Sequence, residues 1–253
     1  MSQLTHENAA AGHTLAHVGT LLARAETLCR DIAGIDLGEM PLYVVGQWQL
    51  PAHLGGNSIC DGFTSPNLDL CLRPAIGARW RGRGPCMVVR GVETVGAMDA
   101  HDAEQAFLSV AIHELAHIVA RYPLLSDQSE SDHAAIAAQA DRLAQQVAAP
   151  RPIETRLIPF FGHGARFIRT ALHLCFRAAL VGTPMSPTAV FNGEGYCLSH
   201  VNRYRTALGD EPNRMVADSF REILEQPYPP EFWQIWTTDV AQWLSVSSPE
   251  LER

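Results

Sequence analysis

The sequence contains no lysine; all nineteen basic residues among its 253 are arginine. Chemistries that require a lysine amine are therefore excluded, among them a Walker-A phosphate loop, a Schiff base and a kinase-type catalytic lysine. Long apolar runs are also missing, and no stretch approaches the ~20 residues needed to cross a bilayer. The opening MSQLTHENAAAGHT has no basic start followed by an apolar run. No secretory signal is therefore expected, and the expected location is cytoplasmic. The six cysteines (Cys29, Cys60, Cys71, Cys86, Cys175, Cys197) include no CxxC pair. That usage reads as free thiols in a reducing compartment. His53 with Cys60, Cys71 and Cys86 has spacing too irregular for a typical zinc knot. The net charge of −8 argues against a general nucleic-acid binder.

What is present suits one globular unit. The chain is 47% apolar and 18% charged, which permits a sizeable core over residues 1–253 taken as a single domain. Leu15, Val18, Leu21, Leu22 and Leu28 give 8–32 a helical apolar stripe. Leu42–Val45 and Met87–Val89 are short β-type runs, and the Gly/Pro/Asn/Asp-rich stretch 51–86 between them predicts a long loop. A helix is predicted over 103–121, with Asp102 and Gln105 resembling a capping box and Pro123 ending it. Further helices are expected at 131–148, 165–181, 196–208, 212–225 and 230–244. The expected fold is α+β: mostly helical with a small sheet.

The 103–121 helix carries His113-Glu114-Leu115-Ala116-His117, an HExxH arrangement. Residues at i and i+4 share a helix face, so both imidazoles can reach one Zn²⁺. Zinc lowers the pKa of water toward ~7, and the adjacent Glu114 can take its proton as general base. The flanks (Val110, Ala111, Ile112, Leu115, Ala116, Ile118, Val119) are apolar. Two histidines and a glutamate in such a helix need partners.

The third ligand is not on this helix, because Ala120 and Pro123 stand where HExxHxxGxxH requires Gly and His. His163, between Gly162 and Gly164 at the start of the 165–181 helix, leads the candidates. Its flanking glycines suggest a close backbone approach. His133, Glu130, Asp132, Asp141 and Glu154 are the alternatives.

Gly162-His163-Gly164-Ala165-Arg166-Phe167 after HExxH, with His173 six residues beyond the Phe, resembles the SprT-like (Spartan-type) zinc metallopeptidases. The resemblance implies a zincin-like fold, one Zn²⁺ per chain, ligands at His113, His117 and His163, and Glu114 as catalytic base. It also admits association with nucleic acid. His163 stands 46 residues after His117, farther than is usual in that family. The intervening Ala140-Asp141-Arg142-Leu143-Ala144, with Val147 and Pro150, resembles a helix of ImmA/IrrE-like peptidases. There a glutamate is the third ligand, but Ala137 stands at its position here. Both resemblances lie within 104–173.

Other features have plainer readings. His13 and His17 also sit i,i+4, but on an amphipathic surface helix without an intervening glutamate. His173 suits core packing or support of the metal site. Arg73, Arg79, Arg81, Arg83 and Arg90 form a basic stretch that reads as a solvated loop, or as a clamp for acidic substrate or nucleic acid, with Phe63 and Trp80 as stacking candidates. Trp233, Trp236 and Trp243 share a face and are expected in the core. Tyr122, Tyr196 and Tyr204 are candidate oxyanion donors. The expected function is zinc-dependent hydrolysis of protein or peptide substrates. The alternatives are a regulatory protein that retains the zinc site, or a nucleic-acid-associated protease. The Met87–Arg90 strand is expected to line the cleft and offer its edge to substrate. No membrane partner is expected.

Overall fold

The computed structural model describes residues 3–50, 61–89, 100–121, 163–191 and 197–247, with side chains described within 19–50, 61–89, 101–121, 163–191 and 201–241. Helix α1 (Gln3–Leu37) is kinked at Ala33 and leads into β1 (Tyr43–Gly46). Strand β2 (Gly62–Thr64), short helices α2 (Leu68–Cys71) and α3 (Arg73–Ile76), and β3 (Cys86–Val89) follow. The helical remainder comprises α4 (Ala100–Ala120), α5 (Ala165–Leu180), α6 (Pro187–Val190), α7 (Cys197–Leu208), α8 (Glu211–Arg214), α9 (Phe220–Glu225) and α10 (Pro230–Ser247). The fold is mostly helical with a small three-stranded sheet, as expected at this level. No helix among the described residues is long and apolar enough to cross a membrane.

The sheet order is β1-β3-β2, with β1 parallel to β3 and β2 antiparallel to it. Successive side chains alternate faces. Val44, Met87 and Val89 enter the main core with α1, α4 and α5, while Tyr43, Val45, Cys86 and Val88 pack beneath Leu68, Leu72 and Ile76. Both faces are covered, which is why β1 and β3 are continuous apolar runs. Helix α4 lies at the centre, packed on α1, α5, α6 and the sheet, with Leu108, Ala111, Ile112, Leu115 and Ala116 fully buried.

The structure corrects several expectations. Within 51–86, residues 61–86 form β2, α2 and α3 instead of an irregular loop. β3 is the central strand, so the Met87–Arg90 run has no edge to offer; the outer strand beside α4 is β2. Helix α4 begins at Ala100, which puts Asp102 inside its first turn instead of at a cap. The helix expected over 212–225 is two, because Ser219 caps α9, accepting from the Glu222 N–H while Glu222 returns to the Ser219 N–H. Trp233 is exposed and Trp236 only partly buried, so they do not form a core stripe. The 131–148 helix and Trp243 lie outside the described residues and side chains.

Candidate metal centre

Helix α4 presents His113 and His117 on one face, and the segment entering α5 brings His163 against them. The ligand nitrogens of these three histidines lie within 4.8 Å of one another, the only such group of His, Cys, Asp and Glu among the described residues. His163 Nε2 is 3.1 Å from His113 Nε2. Two imidazole nitrogens on one tetrahedral metal would sit about 3.3–3.4 Å apart, so the pair already has the spacing of co-ligands. The cluster can therefore bind one metal ion.

Main-chain and aromatic contacts fix the rings. The Val190 carbonyl, at the end of α6, lies 2.7 Å from His113 Nδ1. A carbonyl only accepts, so Nδ1 carries the proton and Nε2 presents its lone pair to the cluster. Phe167, one turn after His163, packs against all three rings at centroid distances of 4.9 Å (His113), 4.4 Å (His117) and 4.6 Å (His163). Phe191 backs Phe167 edge-on at 5.7 Å.

The electrostatics keep protons off His113 and His117. Burial pushes the His113 pKa below its ordinary value, against the Val190 hydrogen bond and the Asp61 charge. His117 is driven to about 2, first by burial and then by His113, His163 and Arg121. Metal ligation requires neutral imidazole, so protons offer little competition for these nitrogens. Glu114 is 4% exposed, and burial raises its pKa to about 8 against the pull of Arg121. A Cβ placed on Gly62 would fall 2.8 Å from Glu114 Oε1. The carboxyl is thus seated directly under the backbone of β2.

His133, Glu130, Asp132, Asp141, Glu154, His53, Cys60, Tyr122, Tyr196 and Arg90 lie outside the described residues, as do the side chains of His13 and His17. His173 does not join the cluster; it bonds Glu211 Oε1 at 2.7 Å in a buried network with Arg169. Cys71 and Cys86 are not in disulfides, and burial holds the Cys86 thiol well above its usual pKa. Tyr204 donates to Asp239 at 3.0 Å and is no oxyanion donor. Gly164 was expected to permit close approach, but its backbone is ordinary and a Cβ there would meet nothing.

The basic stretch is largely tied internally. Arg79 pairs with Glu26, Arg83 with Asp69 and Asn67, and Arg73 sits over Trp80, which stacks on Tyr43. Phe63 is partly buried against the second core. Sequence reasoning missed Gly62 and the Val190 carbonyl. The first sat in a stretch read as loop, and the second is main chain and leaves no residue-type signal. No protein family, curated protein or solved structure matches this chain.

Proposed function

We propose that this chain is a zinc-dependent metallopeptidase with a zincin-like arrangement, using His113, His117 and His163 as ligands and Glu114 as general base. The observation that carries this reading is the meeting of three imidazoles from α4 and the α5 entry, with a buried carboxyl on the same turn of α4. Three nitrogen ligands, with a water as the fourth, suit catalytic zinc. Bound there, zinc supplies Lewis acidity, lowering the pKa of water and polarising a carbonyl.

The protein's own groups do the rest. Glu114 accepts a proton from the attacking water and passes it to the departing amine nitrogen. The Val190 carbonyl and Phe167 keep the imidazoles aimed throughout. Among the described residues β2 is the outer strand against α4 with no strand on its far side, and that edge gives a peptide backbone a ladder to join beside Glu114.

The test measures metal content and cleavage of an unfolded protein together. Wild type should hold about one zinc per chain. Glu114→Gln should keep the metal and lose about 10²–10⁴-fold in rate. A wild-type chain that takes up no divalent metal, or a Glu114→Gln chain that cleaves as fast as wild type, would overturn the reading.

A further inference from the structure

The i,i+4 repeat that places His113 and His117 on one face of α4 reaches Arg121 one turn later. Arg121 follows the last helical residue and is exposed. Its guanidinium lies 3.4 Å from the Thr64 carbonyl at the end of β2, a long bond that leaves most of its donors available. Among the described residues no carboxylate is within ion-pair distance of it. Its charge acts on Glu114 and His117, so it stands near the cluster. With Thr64, Ser65, Pro66 and Ile118 it lines a recess where β2 ends.

The outer strand joins the two places. Gly62 lies over Glu114 and Thr64 lies beside Arg121, a separation of two strand residues, or about 7 Å. A peptide paired along β2 with its reacting carbonyl at Glu114 would bring a group about two residues away to the guanidinium. A guanidinium fork matches a carboxylate better than any other peptide group. The geometry points to Arg121 as a specificity-determining residue that binds a substrate carboxylate, either an acidic side chain or the C-terminal carboxylate, about two residues from the cleaved bond. This inference rests on the peptidase reading above. A cation at a helix C-terminus also favours the helix dipole, but that role would not discriminate between peptides.

The test uses the full-length, zinc-loaded Glu114→Gln chain and fluorescent peptides that differ at one position (Asp or Glu, Asn or Gln, Lys), each with free and amidated C-termini. Binding is read by anisotropy. Acidic peptides should bind about tenfold tighter or more, consistent with a charge-assisted pair. Arg121→Gln should erase the preference, Arg121→Lys should keep part of it, and Arg121→Glu should turn it toward Lys peptides. A preference that depends on the free terminus assigns the C-terminal carboxylate; one that survives amidation assigns the side chain. Equal binding of acidic and neutral peptides, or a preference that survives Arg121→Gln, would overturn the inference. The intact chain's kcat/KM should follow the same ratios. Absence of cleavage despite bound zinc would count against the peptidase reading, while the binding comparison would still decide the role of Arg121.

Discussion

Gly62 and Glu114 interlock: the position of a Cβ on Gly62 lies 2.8 Å from Glu114 Oε1 and 2.9 Å from its Cγ, with Val110 Cγ1 also at 2.8 Å. The backbone of Gly62 is not in the left-handed region, so what the site demands there is space and not conformational freedom. The outer strand and the proposed base share one small volume, and any side chain at 62 must displace one of them.

Gly62→Ala should therefore cost about 1–3 kcal/mol of stability, the usual cost of overpacking. It should also depress cleavage while leaving the three histidines able to bind metal. Chemical denaturation and cobalt uptake measure the two effects separately. Adding Val110→Ala removes one of the two clashing groups, and the double variant should recover stability beyond the additive expectation. Strict additivity would mean that the strand yields and the carboxyl is not constrained.

Phe167 invites a different experiment. It is 3% exposed and touches all three histidine rings. Phe167→Ala should lose about 3–5 kcal/mol, and Phe167→Leu much less. If the ring aims the imidazoles, zinc affinity in Phe167→Leu should fall by about 10–100-fold, the range seen when groups supporting metal ligands are removed. Competition with a chelator gives the number. A stable Phe167→Leu chain with wild-type affinity would reduce Phe167 to core packing.

Local chemistry was readable and convergence was not. Helix α4 was visible because its histidines and glutamate interrupt an otherwise apolar stretch. β1 and β3 were visible because both of their faces are buried. β2 escaped because three residues flanked by Asp61, Ser65, Pro66 and Asn67 are too few to show a period among turn-forming neighbours. Its pairing with β3 is long-range, and with it went the correct assignment of the sheet's edge. The Ser219–Glu222 capping box was present in the sequence, yet the apolar spacing on either side suggested one helix over 212–225. His163 was proposed from its glycine neighbours, but Gly164 contributes no close approach. What holds His163 at the cluster is Phe167 and the packing of α5 on α4, which no local pattern encodes.

The three-histidine set makes its own demand on mutagenesis. His113→Ala, His117→Ala and His163→Ala should each weaken zinc binding strongly, since each removes one of the three protein donors that meet there among the described residues. His133→Ala should leave affinity unchanged. Substitution of cobalt for zinc, followed by visible spectroscopy, should report a four-coordinate site with nitrogen and oxygen donors. A loss of metal in His133→Ala, with His163→Ala unaffected, would transfer the third position to the 131–148 segment.

Outside the cluster, Arg169, Glu211 and His173 form a buried network that should contribute to the acid response. Arg169 is fully buried; it donates to both Glu211 oxygens at 2.8 and 2.9 Å and to the Gln226 carbonyl, with its guanidinium over Tyr228. Glu211→Gln leaves that cation without a counter-charge and should cost about 3–5 kcal/mol at neutral pH. The pH dependence has a definite sign. Burial, outweighing the attraction of Glu211, lowers the His173 pKa, so the unfolded chain takes up a proton first as pH drops. Stability should therefore fall from about pH 6.5 downward until the lowered folded value is reached. Burial alone would raise the Glu211 carboxyl, but the hydrogen bonds from His173 and Arg169 win and hold it below its ordinary range. A second loss should follow below about pH 4.3, again in the acid direction. Urea midpoints measured from pH 8 to 3.5 should show both phases in wild type. His173→Asn should show a smaller upper phase, the remainder coming from His113 and His117, whose pKa values burial also lowers. A His173→Asn profile parallel to wild type between pH 6.5 and 5 would mean that the imidazole is not linked to folding.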